Sequence, residues 1–127
     1  MQNIKCIDTK PYMTIGIIVV NIIVFVLMSI SGSTLDAQYM AAHGAMYPEY
    51  IKDGQYWRLF TSMFMHFGLM HILNNMVVLG AVGQIVEKAV GHVKLLVTYL
   101  AAGMCGSVLS YIVMLYNNDY AVSAGAS

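Results

Sequence analysis

Three long apolar segments alternate with more polar stretches along the chain. They cover about residues 13–30, 67–88 and 94–115. An α-helix needs about 20 apolar residues to cross a hydrocarbon core about 30 Å thick, and each segment is close to that length. Because lipid offers no partners to backbone N–H and C=O groups, such segments are helical. The pattern predicts an all-α, polytopic transmembrane helical bundle of three spans, with a fourth helix beginning near Ser127.

The stretch between the first two spans is too polar to cross a membrane and unusually aromatic for a solvated loop. It runs from residue 31 to about residue 66 and is rich in Tyr, Met and Phe, but it also contains five charged residues: Asp36, Glu49, Lys52, Asp53 and Arg58. Amphipathic, aromatic segments are typical of the membrane–water interface. We expect this connector to lie in that interface.

Basic residues predict the orientation of the spans. Four lie on one side of the predicted bundle and two on the other: Lys5, Lys10, Lys88 and Lys94 against Lys52 and Arg58. The positive-inside rule then places the amino terminus in the cytoplasm, with residues 1–12 as a cytoplasmic tail and residues 13–127 as the membrane domain. The first apolar run is longer than the core of a signal peptide, and no small-x-small cleavage site follows it, so we interpret it as a retained span.

Composition agrees with a membrane protein and limits its chemistry. Hydrophobic residues make up 59% of the 127 residues and charged residues 9%, whereas a soluble domain carries about 25% charged residues. The net charge is zero, which gives no reason to expect nucleic acid as a partner. Cys6 and Cys105 lie in a tail and in a span, so neither a disulfide nor a metal site is expected.

Polar side chains on the second span are the first candidates for chemistry. His71 and Asn75 are four residues apart, which places them on one helix face with Cβ atoms about 5–6 Å apart. One interpretation is interhelical hydrogen bonding. The other is stabilisation of an oxyanion, because both side chains can donate hydrogen bonds while neutral. Ser127 likewise fits either a helix N-cap or a nucleophile, and Gly125 before it would allow a substrate to approach the backbone.

Four motifs, taken in chain order, resemble those of a known family. They are a Trp-Arg pair in the connector, H-x-x-x-N and G-x-x-x-E-x-x-x-G on the second span, and the first three positions of G-x-S-G. The residues that carry them are, in the same order, Trp57-Arg58, His71 and Asn75, Gly83, Glu87 and Gly91, and Gly125-Ala126-Ser127. Over about residues 12–127, the sequence is similar to the rhomboid intramembrane serine proteases.

This resemblance implies an activity and the residues that perform it. A rhomboid enzyme would hydrolyse peptide bonds in or near transmembrane segments of its membrane-protein substrates. It would do so in a bacterial-type plasma membrane, with no metal or organic cofactor. Ser127 would be the nucleophile. His71 and Asn75, together with the backbone N–H of Ser127, would form the oxyanion hole.

The resemblance also implies structural roles for the remaining motif residues. Trp57 and Arg58 would hold the connector in the interfacial layer. Glu87 would anchor a hydrogen-bond network near the cytoplasmic end, although an ordinary interfacial charge remains an open interpretation of this residue. Gly83 would permit close helix contact, and Gly91 and Gly125 complete their motifs.

Two features of the family are absent from these 127 residues. They are the general-base histidine, which the family carries on its sixth helix, and the glycine after the nucleophile. We therefore expect an amino-terminal part of the enzyme that is inactive without the carboxy-terminal helices that complete the site. A non-catalytic, pseudoprotease-like module that binds membrane helices is the alternative. A channel or transporter subunit is disfavoured, because its polar residues would line a path through the bilayer.

Other polar residues are not expected to complete the site. His43 lies in the connector, and His92 lies in the turn on the opposite side. His66 is close to the start of the second span, and we expect it to be exposed in the interface. Asn74 points about 100° away from Asn75 around the helix, so we expect it to make a packing hydrogen bond.

Overall fold

The computed structural model describes residues 10–118 and 121–124. Its elements are, in chain order, α1 (Tyr12–Ser31), α2 (Ala37–Ala42), α3 (Pro48–Lys52), α4 (Arg58–Thr61), a 3-10 helix (Ser62–Phe64), α5 (Gly68–Val90) and α6 (His92–Asn117). Helices α1, α5 and α6 are long and apolar enough to cross a membrane. The predicted all-α bundle and its three spans are confirmed.

The start of α1 is capped by a side chain of α5. Pro11 precedes α1 and provides no side-chain cap. Instead, the carboxylate of Glu87 accepts hydrogen bonds from the backbone N–H groups of Met13 (2.7 Å) and Thr14 (2.9 Å) and from the Thr14 hydroxyl (2.6 Å). N–H groups at a helix start have no partners within the helix, and their partial positive charge favours an anion. This contact fixes the start of α1 against the end of α5.

Close contacts also hold α1 to the other two long helices. A Cβ atom at Gly83 of α5 would lie 2.9 Å from Cγ2 and 3.1 Å from Oγ1 of Thr14, so only glycine fits this crossing without a shift. Two turns farther along the same face of α1, Asn21 is fully buried. Its Nδ2 donates to the hydroxyl of Tyr99 on α6 (3.2 Å) and to the carbonyl of Ile17 (2.8 Å).

The connector packs onto the long helices in two apolar clusters. The first contacts α1 and consists of Met40, Ala45 and Met65, with Val24 and Met28 among the residues packed against it. The second contacts α6 and consists of Met46, Ile51 and Leu59, packed against Met104, Tyr111 and Met114. The connector is therefore part of the same core as the spans.

The 3-10 helix reaches farther into the bundle than the sequence indicated. The side chain of Met63 occupies the space beside Gly103, about half-way along α6. The ring of Phe64 lies 6.1 Å from that of Tyr99. Through this element, the connector contacts the middle of α6. The physical reason is that Gly103 leaves room on α6, which a flexible methionine side chain can fill.

Gly83→Ala should destabilise the bundle relative to Gly80→Ala. Both substitutions add one methyl group to α5 and gain about the same helix preference, about 1 kcal/mol. At Gly80, however, the nearest atom, Cδ1 of Ile18, would lie at an ordinary 3.7 Å from the new Cβ. We expect Gly83→Ala to be less stable than Gly80→Ala by about 1–3 kcal/mol, measured by unfolding in detergent micelles. Equal stabilities would contradict a tight crossing at Gly83.

Candidate active site

The first turn of α5 sets the position of the His71 ring. The chain enters this helix through Phe67 and Gly68, and Gly68 has a φ of +75°, a conformation that favours glycine. The backbone N–H of Phe67 donates to Nδ1 of His71 at 3.3 Å. Because Nδ1 accepts this hydrogen bond, a neutral His71 carries its proton on Nε2. Its Nε2–H is therefore the remaining donor.

Asn75 lies one turn farther along α5 and lines a cavity of about 570 Å³ between α5 and α6. Its Nδ2 atom is buried and has no hydrogen-bond partner among the described residues. A buried donor without a partner costs about 1–3 kcal/mol. Asn75 therefore offers an unused donor beside the cavity, one turn from His71.

The cavity runs along both helices and reaches the segment that follows α6. Its α6 wall carries small side chains, among them Gly103, Gly106, Ser107 and Ser110. Met46 and Ser62 of the connector, together with Ser123 and Ala124, complete its lining beside Asn75. Polar groups from four parts of the chain, α5, α6, the connector and the segment after α6, thus surround one apolar space.

Backbone pairing attaches the segment after α6 to the connector. Met46 N–H donates to the carbonyl of Ser123 (2.9 Å), and Ser123 N–H donates to the carbonyl of Met46 (2.8 Å). This bridge holds Ser123 and Ala124 at the cavity wall. The predicted nucleophile Ser127 and the motif residue Gly125 lie outside the described residues.

Arg58 holds the part of the connector that makes this bridge. Its side chain is buried. Its Nη1 donates to the carbonyls of Ala45 (2.9 Å) and Ala41, and its Nε donates to the side chain of Gln55 (2.7 Å). The guanidinium lies 4.8 Å from the ring centroid of Trp57, whose side chain is exposed. These contacts fix the backbone directly before the bridge.

The expectation that His66 is an exposed interfacial histidine is wrong. Its exposed fraction is 1%, because its ring packs against that of His71 and its neighbours Met65 and Phe67 lie in the cluster that Met40 and Ala45 of the connector form. Burial, with a smaller contribution from His71, lowers the pKa of His66 to about 4, although the backbone of Phe64 opposes the shift. His66 is therefore neutral at neutral pH.

Glu87 lies at the opposite end of α5 and has no exposed surface, which does not fit a solvated interfacial charge. In addition to the hydrogen bonds from α1, its carboxylate accepts one from Nδ1 of His92, the first residue of α6. Gly91, with a φ of +94°, makes the turn that brings α6 back to this carboxylate. Glu87 of α5 thus contacts both of the other long helices.

Sequence reasoning missed one polar contact and misjudged another. The hydrogen bond between Asn21 and Tyr99 was not predicted. A single Asn inside an apolar span was the signal that could have indicated it, since an amide in lipid requires a partner. Asn74 is exposed and makes no hydrogen bond within the described part of the chain, so the expected packing bond is absent there.

Comparison with known proteins determines the family. A family model described as the rhomboid domain matches residues 53–127, more than half of the chain. The chain belongs to the rhomboid family. With three helices that could cross a membrane, this rhomboid chain is a multi-pass membrane protein.

Curated relatives from several organisms share this similarity. The chain is 36% identical over 118 residues to the rhomboid protease GluP of Bacillus subtilis, covering 93% of this chain and 22% of that protein. It is 36% identical over 101 residues to RHOMBOID-like protein 7 of Arabidopsis thaliana, covering 80% of this chain and 30% of that protein. It is 37% identical over 92 residues to the rhomboid protease GlpG of Pectobacterium atrosepticum, covering 72% of this chain and 32% of that protein. The chain thus spans less than a third of the length of these relatives. No solved structure matches it.

Glu87→Gln should destabilise the protein by about 3 kcal/mol, because an amide has one acceptor oxygen and turns its NH₂ group toward the N–H groups of α1. Lys88→Gln is the matched control, since it changes the charge of the exposed neighbour and should stay within about 0.5 kcal/mol of the unsubstituted chain. Unfolding in detergent micelles measures both. Similar stabilities for the two variants would contradict the capping role of Glu87.

Acidification should destabilise the fold through His66. Its folded pKa of about 4 lies below the usual value of about 6.5. The unfolded chain therefore binds more protons between these values, and stability falls as the pH drops through this window. From about pH 7.5 to pH 5, the loss should be about 2 kcal/mol. His66→Phe should remove this part of the pH dependence. An unchanged pH dependence in His66→Phe would contradict the assignment.

Proposed function

We propose that this chain forms part of an intramembrane serine protease that hydrolyses peptide bonds in or near transmembrane segments of membrane proteins. The observation that carries the proposal is a pair of donors on α5 that no described residue uses. Nε2–H of His71 remains after Nδ1 has accepted from Phe67, and Nδ2 of Asn75 has no partner among the described residues. Two neutral donors one turn apart match the needs of an oxyanion.

Ser127 is the proposed nucleophile. Ala124, three residues before it, lines the same cavity as Asn75, and the bridge between Met46 and Ser123 holds this segment in place. Attack of the Ser127 Oγ on a scissile carbonyl would leave a negative charge on the carbonyl oxygen. His71, Asn75 and the backbone N–H of Ser127 would donate to that oxygen, each lowering the barrier by about 2.7–4 kcal/mol.

We propose that the general base comes from residues that follow this sequence. A serine hydroxyl without a base is a weak nucleophile, and the four histidines here have other positions. His66 is buried, His92 donates to Glu87 at the far end of α5, and Nδ1 of His43 donates to a carbonyl of the connector. His71 is the proposed hydrogen-bond donor to the oxyanion. We therefore propose that residues 1–127 alone do not cleave substrates.

The remaining motif residues are proposed to support the site. Trp57 and Arg58 would hold the connector, and Glu87, with Gly83 and Gly91, would hold the opposite end of the bundle. Lys88 lies near that end, and Lys94 follows the turn into α6. By the positive-inside rule we place that end, residues 1–12 and the amino terminus in the cytoplasm of a bacterial-type cell, with residues 13–127 as the membrane domain.

A non-catalytic module that binds membrane helices is the second candidate. The cavity between α5 and α6 favours it, since a wall of small side chains suits close helix packing. The unused donors on α5 favour the protease, because helix binding alone would be served as well by apolar residues at His71 and Asn75.

Labelling with a fluorophosphonate tests the nucleophile. We expect the full-length protein in membranes to be labelled, Ser127→Ala to lose the label, and Ser123→Ala to retain it, since the hydrogen bonds that Ser123 makes to described residues come from its backbone. Residues 1–127 alone should remain unlabelled. Absence of label on a folded full-length protein would favour the helix-binding module, and label on Ser127→Ala would exclude Ser127 as the nucleophile.

Cleavage of a transmembrane reporter tests the oxyanion donors. Asn75→Ala and His71→Ala should each lower kcat of the full-length protein by about 10²–10³-fold, with little change in KM, because their hydrogen bonds form with the transition state. Asn74→Ala is the matched control, because it removes an exposed amide from the next position of α5. Equal rates for Asn74→Ala and Asn75→Ala would argue against an oxyanion role for Asn75.

A further inference from the structure

Two consecutive residues before α5 constrain the ring of His71. Phe67 donates its backbone N–H to Nδ1 at 3.3 Å. The ring of His66 meets that of His71 with centroids 5.1 Å apart and planes inclined by 71°. Edge-to-face contacts of this kind are a preferred arrangement of aromatic rings. One contact acts on a ring nitrogen, and the other acts on the plane of the ring.

His66 is suited to act as a fixed support. Its exposed fraction is 1%, and a side chain enclosed by close-packed neighbours keeps one orientation. His71 is only partly buried, so surrounding side chains restrain it less. His66 therefore supplies a rigid surface against which the more mobile ring can rest.

The two contacts on His71 depend on each other. A hydrogen bond of 3.3 Å is long for an N–H donor, and it weakens steeply when the donor and acceptor lose alignment. Rotation of the His71 ring away from His66 would break the bond from Phe67 and release Nδ1. A released Nδ1 can carry the proton, which leaves Nε2 without a hydrogen to donate. The ring contact thus also affects which nitrogen is the donor.

We propose that His66 is a positioning residue for His71, whose ring plane and Nε2–H tautomer it holds through the edge-to-face contact. The inference rests on the proposed function, in which Nε2–H of His71 donates to the oxyanion. Donors that are aligned before the reaction need no reorganisation during it. His66 itself touches no reacting atom in this scheme.

The test compares three substitutions at residue 66 in the full-length protein. His66→Phe keeps an aromatic ring, whereas His66→Leu and His66→Met keep an apolar side chain without a ring. We expect the Leu and Met variants to lower kcat about tenfold or more at nearly constant KM, since small misplacements of catalytic groups have effects of this size. His66→Phe should restore kcat to near its original value.

Nitrogen-15 NMR of the His71 ring supplies a readout that does not depend on activity. The unsubstituted protein and His66→Phe should show a single Nε2–H tautomer, and His66→Leu should show a mixture. His66→Met serves as the second ring-free variant if His66→Leu does not fold. Unfolding in micelles identifies any loss of activity that follows stability alone.

The outcomes separate this inference from the proposed function. If His71→Ala cleaves normally, the proposed oxyanion role fails, and the inference fails with it. If His71→Ala is impaired but the ring-free variants retain kcat and one tautomer, only the positioning role of His66 is overturned. A loss of kcat that His66→Phe does not restore would also overturn it, because the ring contact would then not be what matters. Loss of kcat with mixed tautomers, restored by Phe, is the supporting result.

Discussion

The buried carboxylate of Glu87 is the interaction on which the arrangement of the three spans depends. It accepts hydrogen bonds from the backbone of Met13 and Thr14, from the Thr14 hydroxyl and from His92. A single side chain of α5 therefore satisfies two backbone N–H groups in the first turn of α1 and contacts the first residue of α6. In lipid, the N–H groups of α1 would otherwise lack partners, at several kcal/mol each. An anion at a helix start is also favoured by the helix dipole.

At the opposite end of the bundle, the buried charge is a cation, whereas Glu87 is an anion. The buried guanidinium of Arg58 binds carbonyls of the connector, and the connector in turn pairs with Ser123 after α6. Among the described residues, each end of the bundle thus has a buried charge that binds backbone groups: Glu87 accepts two of its four hydrogen bonds from backbone N–H groups, and two of the three that Arg58 donates go to backbone carbonyls. Between the two ends, residues of α5 and α6, Asn75 among them, line the cavity. This arrangement leaves space for a site while the helices around it stay fixed.

Features that depend on the length and hydropathy of a segment could be predicted from the sequence. Contacts between residues far apart along the chain could not. The first span, expected over 13–30, is observed as Tyr12–Ser31, because any apolar segment of that length is helical in lipid. The burial of Glu87 was left open, since its partners at Met13 and Thr14 are mostly backbone groups without a sequence signature. The exposure expected for His66 was wrong, because its position along the chain does not reveal that the connector folds back over it.

A comparison of two asparagines shows how similar amides in one bundle differ in use. Nδ2 of Asn21 has two hydrogens, and both are engaged, by the carbonyl of Ile17 and the hydroxyl of Tyr99. Its Oδ1 alone is without a partner among the described residues, so Asn21 has an acceptor left but no donor. Asn75 is the reverse case, because its buried Nδ2 is the unpartnered atom. A developing oxyanion requires donors, so Asn21 can serve only packing, whereas Asn75 can serve the chemistry. The hydrogen-bond inventory of each amide, more than its depth in the bundle, therefore separates a structural from a functional polar residue.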